Sequence, residues 1–409
     1  MRYDHHTLRN GLEIVGEHNP EAKSLAIGFF VRTGSRDESP EISGVSHFLE
    51  HMMFKGTERR SAADVKREFD EMGARNNAFT SFETTVYFGA VLPEFQGRLL
   101  DLLADMLRPS LRQDDFDTEK KVILEEIAMY QDRPQFVAGQ LARETYYHGH
   151  PLGNSVLGTT ESISALQRDQ MKAYFERRYA ANNVTLVLVG NYDWEAAIAG
   201  AERACGAWQT AETPRTLTRP EPFSQERMVT EARWDRLYLY AVAPAPAAQD
   251  EARFAAEVLA EALGGGDGSR LYWALTHPGL ADAAGIYYDA SDGAGAFYAF
   301  ASCDPAHALE VMQVLRSTLC EPQDEPLSED EISRARRKIA SQIVIRAETP
   351  MGRLTPVGYD WLYRRHIDRL DELVERYSTV APTAVSALLA ERPFEQMTLV
   401  ALGPEPPAV

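Results

Sequence analysis

Two histidines and a glutamate within five residues, His47-Phe48-Leu49-Glu50-His51, are the part of this 409-residue sequence best suited to chemistry. The order H-x-x-E-H reverses the metal-binding pattern H-E-x-x-H. On an α-helix, residues four apart are separated by about 40° around the axis. His47 and His51 can therefore aim two imidazoles at one ion, and Glu50 projects from the same side. Two neutral imidazoles suit Zn²⁺, and a nearby carboxylate that is not a ligand suits a general base. The bland alternative is a solvated helix face with two chance histidines. The flanking Phe48, Leu49, Met52, Met53 and Phe54 speak against it, because they make the helix mostly buried. Buried polar side chains are costly without partners, and a metal is the simplest partner. Ser43-Gly44-Val45-Ser46 before the motif and Lys55-Gly56-Thr57 after it supply start and stop signals.

A catalytic zinc takes three protein ligands and leaves one position for water. Glu126 is the best candidate for the third. It lies in a strongly helical run from about Asp114 to Gln131, and Glu119 precedes it by two turns on the same face. Glu125 points elsewhere. The alternative is that Glu119 and Glu126 only decorate a charged helix, the usual fate of Glu.

Taken together, His47-Phe-Leu-Glu50-His51 and Glu126 within Val-Ile-Leu-Glu-Glu-Ile resemble the signature of the inverzincin metallopeptidases, the family of pitrilysin, insulysin and the mitochondrial processing peptidase. Gly44 through Gly56 is close to the family pattern throughout. His150-Pro151-Leu152-Gly153, Gly264-Gly265-Gly266 and Ser269-Arg270-Leu271-Tyr272 extend the resemblance over essentially the whole chain. The resemblance implies that His47, His51 and Glu126 bind one Zn²⁺ per chain, that Glu50 activates water, and that Glu119 is an auxiliary carboxylate. Asn77-Ala78-Phe79-Thr80, followed by Thr85-Val86-Tyr87, resembles the segment whose edge strand holds the substrate backbone. It further implies a zinc endopeptidase in which two such two-domain units close like a clamshell around a chamber that admits peptides or unfolded segments. Non-catalytic and scaffold subunits also occur in the family, and that is the alternative function.

One departure matters. Family members often carry an Arg and a Tyr, seven residues apart, in the second domain, where they orient substrate and stabilise the oxyanion. The corresponding positions here are Leu275 and Asp282, with Tyr287 and Tyr288 nearby but out of register. A dimer with a homologous subunit would restore the pair. That favours a heterodimer over a homodimer.

These residues need elements to hold them, and the chain reads as a diverged internal duplication. A strand, a helix, a second helix, a strand, a helix and a long charged helix follow one another from Ser24 to Gln131 and again from Arg236 to Arg346. With the halves superimposed, His47 falls opposite Glu257 and His51 opposite Glu261, so the second half has no metal motif. The expected fold is α+β: two similar domains, each a mostly antiparallel sheet packed with helices. The expected boundaries are 1–207 for a zinc-binding catalytic domain, 208–225 for a Pro- and Thr-rich linker, and 226–409 for a metal-free homologous domain contributing to the substrate chamber and the dimer contact.

Composition agrees. Asp plus Glu number 61 against 42 Lys plus Arg, a net charge of −19, which disfavours nucleic acid and anionic membranes as partners. There is no transmembrane-length apolar run and no secretory h-region at the amino terminus. The three scattered cysteines, Cys205, Cys303 and Cys320, offer neither a disulfide framework nor metal-ligand spacing, so a cytoplasmic location is expected.

Overall fold

The computed structural model describes residues 1–215 and 217–404. In chain order the elements are β1 (Arg2–Thr7), β2 (Glu13–His18), β3 (Leu25–Val31), α1 (Val45–Met52), α2 (Ala62–Glu71), β4 (Arg75–Thr80), β5 (Thr85–Val91), α3 (Gln96–Met106), α4 (Gln113–Gln131), α5 (Pro134–Tyr147), α6 (Thr160–Ala165), α7 (Arg168–Arg178), β6 (Val184–Gly190) and α8 (Trp194–Cys205). There follow β7 (Glu226–Thr230), β8 (Leu237–Pro244), α9 (Arg253–Gly264), a π-helical turn (Tyr272–Thr276), β9 (Ala283–Ser291), β10 (Ala294–Cys303), α10 (Ala308–Cys320), α11 (Glu329–Ala347), α12 (Pro350–Arg364), α13 (Leu370–Ser378), α14 (Pro382–Ala390) and β11 (Thr398–Gly403).

Two mixed sheets result. The first has the order β1-β2-β6-β3-β5-β4, and the second β7-β11-β8-β10-β9. Each contains one parallel pair, β2 with β6 and β7 with β11, while the other pairs are antiparallel. Without β1 the two orders superimpose strand for strand, so the fold is α+β with an internal duplication. The α9 helix follows β8 as α1 follows β3, and α4 and α11 correspond, each with 19 residues. β3 and β6 are buried along their whole length, as central strands packed on both faces should be. β4 is a terminal strand of its sheet, and Arg75, Asn76 and Asn77 on it are exposed.

The compact units do not follow a single cut in the sequence. One comprises Met1–Ala128, Asn154–Thr216 and Arg346–Asp368; the other comprises Met129–Gly153, Leu217–Ile345 and Arg369–Val409. The reason is a reciprocal exchange of helices. After the long helix of each half, the chain contributes its next helix to the other sheet. In the first unit α12 covers β2, β3, β5 and β6. There Leu354, Val357 and Leu362 pack with Val15, Ala26, Phe30, Val86 and Val187. In the second unit α5 lies on β8 and β11, with Ala138 against Tyr238 and Leu402. Small residues permit these close approaches. A Cβ at Gly358 of α12 would come within 2.3 Å of the Phe30 ring.

Residues 208–225 form no strand or helix among the described residues. They are still anchored locally, because the buried Arg215 guanidinium pairs with the Asp37 carboxylate and donates to the Glu83 carbonyl oxygen. Among the described residues no helix is long and apolar enough to cross a membrane.

Candidate metal centre

The short helix α1 starts at Gly44, which has φ +89°, and a Cβ there would lie 2.6 Å from the Leu157 carbonyl oxygen. Only glycine meets both requirements. The helix buries Val45, Ser46, His47, Phe48, Leu49 and Met52. Phe48 stacks on Phe116 of α4 with ring centroids 4.8 Å apart, which lays the two helices side by side. The buried stripe of α4 is Phe116, Glu119, Ile123 and Ile127, a helical spacing into which one carboxylate is admitted. Glu126 lies beside that stripe, half-buried, and Glu125 is exposed.

His47 and His51 stand one turn apart with ring centroids 4.8 Å from each other. Their Nε2 atoms lie 3.8 Å and 3.5 Å from the same oxygen, Oε2 of Glu126. One ligand-capable atom from each of the three residues falls within a 4.8 Å group. On the far side of His51, Nδ1 lies 2.8 Å from Oε1 of Glu119. A carboxylate can only accept, so Nδ1 carries a proton and Nε2 is the ring nitrogen that faces Glu126. The Lys55 ammonium pairs with the other Glu119 oxygen. His47 has no such support: its Nδ1 is buried without a hydrogen-bond partner among the described residues. Beside the triad, Thr80 Oγ1 donates to Glu50 Oε2 at 2.7 Å.

The electrostatics follow from this arrangement. Burial, with a smaller contribution from His51, pushes His47 down to about 3, so it is neutral at any ordinary pH. For His51 burial opposes protonation, but the Glu119 hydrogen bond and the charges of Glu126, Glu119 and Glu50 outweigh it and raise the pKa. Burial raises Glu50, against the pull of the Thr80 hydroxyl and His51, which moves it toward the range of a working base. Glu119 is lowered: burial opposes this, but the hydrogen bonds from His51 and Lys55 prevail.

The donor set fits zinc. Two imidazole nitrogens and one carboxylate oxygen converge, one imidazole is already neutral, and the other is oriented by a carboxylate as metal-binding histidines usually are. The remaining residues read from the sequence fall as follows. Asn77, Ala78, Phe79 and Thr80 occupy the terminal strand β4, paired to Phe88, Tyr87, Val86 and Thr85 of β5. Leu275 is fully buried in the second core, and the exposed Asp282 pairs with Arg236 at 3.2 Å. Tyr287 stacks on Tyr298, and Tyr288 donates to the Pro246 carbonyl oxygen at 2.6 Å. His150 bonds to the Thr218 carbonyl oxygen and His148 stacks on Phe223, so both serve loop structure. Two contacts were not foreseen from sequence. The Thr80 hydroxyl holds the candidate base, and Lys55 holds Glu119. Lys55 lies one helical turn beyond His51, and that spacing was the available signal.

Residues 13–160 match the family Insulinase (Peptidase family M16), and residues 165–339 match the Peptidase M16 inactive domain. An uncharacterized zinc protease of Streptomyces coelicolor is 31% identical over 97% of this chain and 89% of its own. The uncharacterized zinc protease YmxG of Bacillus subtilis is 29% identical over 98% of both. The crystal structure of a protease from Helicobacter pylori superimposes with a TM-score of 0.90 at 20% identity, covering 98% of this chain and 99% of that one. Matched in both halves and aligned with such relatives nearly end to end, the chain belongs to peptidase family M16, the insulinase family.

Proposed function

We propose that the chain is a zinc-dependent endopeptidase of peptides or unfolded segments. The observation that carries this reading is the convergence of the His47 and His51 Nε2 atoms on Oε2 of Glu126, with the Glu50 carboxylate beside them. His47, His51 and Glu126 would hold one Zn²⁺ per chain. Bound zinc supplies Lewis acidity that brings a water's pKa down toward about 7. Glu50 takes the proton from the attacking water and delivers it to the leaving amine. The Thr80 hydroxyl keeps the accepting oxygen in place. Glu119 fixes the His51 tautomer, and Lys55 holds Glu119 charged. The terminal strand β4 has backbone groups to offer, so an extended peptide can add beside Asn77–Thr80 with modest sequence preference. The three cysteines are free, which suits a reducing cytoplasm.

The second half favours a partner over a self-sufficient chain. Leu275 is an apolar side chain in the core and Asp282 carries a carboxylate with no proton to donate, so neither side chain could do what an Arg or Tyr does for a substrate carbonyl. The proposed assembly is a dimer with a homologous subunit that supplies an Arg and a Tyr, a heterodimer ahead of a homodimer. The alternative reading, a non-catalytic subunit, differs in metal content. The test is metal analysis of the purified chain, then a peptide-library digest with and without chelator, alone and with added homologous chains. About one zinc per chain and chelator-sensitive cleavage are expected. A folded chain that takes up no divalent metal would refute the enzyme reading. Full activity from the isolated, metal-loaded chain would refute the heterodimer.

A further inference from the structure

We propose that Glu38 is a positioning residue for the metal centre: it fixes the first turn of α1 and, through it, the direction of the His47 imidazole. This rests on the reading of His47 as a metal ligand.

The first N–H groups of a helix have no partner within the helix, and an N-cap side chain usually satisfies one of them. At α1 the N-cap is Gly44, which has no side chain to offer and which the contact with Leu157 prevents from being anything larger. The capping group comes instead from Glu38, upstream in the chain. Its carboxylate accepts the Gly44 N–H at 2.6 Å on Oε2 and the Ser46 N–H at 2.7 Å on Oε1. Ser46 is pinned from its side chain as well. Its hydroxyl lies 2.8 Å from the Tyr174 hydroxyl, which lies 2.7 Å from Thr33 Oγ1. His47 is the next residue.

Two further observations make this anchorage consequential. α1 has only eight residues, whereas an isolated helix needs about 12–15 to hold itself in water. His51 is oriented through its side chain by Glu119, but His47 has no partner on Nδ1 among the described residues, so its backbone and packing must set its direction. Glu38 is itself held firmly. The neighbouring Asp37 is paired with Arg178 at 2.7 Å and with Arg215, all three side chains being buried. Burial pushes the Glu38 carboxyl up to about 7 in spite of its N–H donors, so the fold tolerates a costly group at this position.

The test compares Glu38→Gln with Glu17→Gln. Glu17 is an equally buried carboxylate of the same compact unit, paired with Arg353 and outside the centre. Zinc affinity is measured by competition with a chromophoric chelator, and thermal stability is measured on the metal-free proteins. The amide of Glu38→Gln presents one acceptor and one donor to two N–H groups. Its zinc dissociation constant should rise roughly 10- to 100-fold, the range for outer-shell partners of a metal site. Glu17→Gln should lose stability and keep wild-type zinc affinity. Wild-type affinity in Glu38→Gln, or an equal loss of affinity in both variants, would overturn the proposal while leaving the metal reading intact. Failure of the wild-type chain to bind zinc would overturn both. If Glu38→Gln does not fold, Glu38→Asp carries the same test, since it keeps the charge and shortens the reach. Weakened zinc binding with a native circular-dichroism spectrum would support the proposal, and unchanged binding would overturn it.

Discussion

The pair α1–α4 in the first unit and the pair α9–α11 in the second occupy corresponding places in a repeated topology, yet they neutralise charge differently. In the first, two imidazoles meet the Glu126 carboxylate, and among the described residues that carboxylate has no lysine or arginine partner. In the second, Glu257 and Glu261 stand one turn apart on α9, and Lys338 of α11 reaches Glu261 at 3.3 Å. A fixed ammonium there does what an added cation would do at the first site. His47 is pushed down to about 3 and stays neutral, whereas Glu257, half-buried and beside Glu261, is pushed up to about 7 by desolvation and then by its neighbour's charge. The duplicated scaffold alone therefore does not make a metal site. Donor type and counter-charge are what set the two pairs apart.

The strongest way to break this comparison is to remove a donor from each side. His47→Ala or His51→Ala should take zinc from about one per chain to none, by metal analysis after dialysis, whereas Glu261→Ala should leave it unchanged. Equal zinc loss from Glu261→Ala would mean that the second pair matters to the centre. A smaller effect is expected from Glu119→Gln, because the amide can still accept from His51 Nδ1 but loses its charge and its pairing with Lys55. Zinc affinity should fall roughly 10- to 100-fold in chelator competition, and unchanged affinity would remove Glu119 from the centre.

The smallest effect concerns the second half. Glu257 has its folded pKa raised above the ordinary 4.5, so the folded state prefers the neutral acid. Its favourable contribution is complete below about pH 4.5 and is lost as pH rises through about 7. Glu257→Gln should therefore unfold like the wild type near pH 4.5 and be more stable at pH 8, by something on the order of 1–3 kcal/mol, with unchanged zinc content. A variant less stable than the wild type at pH 8 would contradict the account of Glu257 as a desolvated acid.

Much of this was legible in the sequence. The spacing of His47, Glu50 and His51 and the two-turn interval from Glu119 to Glu126 are helical facts, and α1 and α4 place those residues accordingly. The repeated order of strands and helices foretold two similar α+β domains. The exchange of α5 and α12 was not legible. Periodicity reports which face of a helix is buried, not which sheet buries it, and Ala138 or Val357 would suit either. Nothing in the sequence marks Arg36-Asp37-Glu38 as buried, yet all three side chains lie in ion pairs and hydrogen bonds that only tertiary structure brings together. Likewise Thr80 reads as strand, and its hydrogen bond to Glu50 depends on β4 lying beside α1.

The central claim is that the triad holds the metal while Glu50 moves the proton, and it is tested most directly by Glu50→Gln. Zinc content and peptide hydrolysis are measured on the same preparation, in whatever assembly the wild type is active. The expected result is an undiminished zinc content with hydrolysis reduced roughly a hundred- to ten-thousand-fold, because the amide cannot accept the water's proton. Hydrolysis near the wild-type rate with zinc retained would contradict the account and assign the proton transfer to another group.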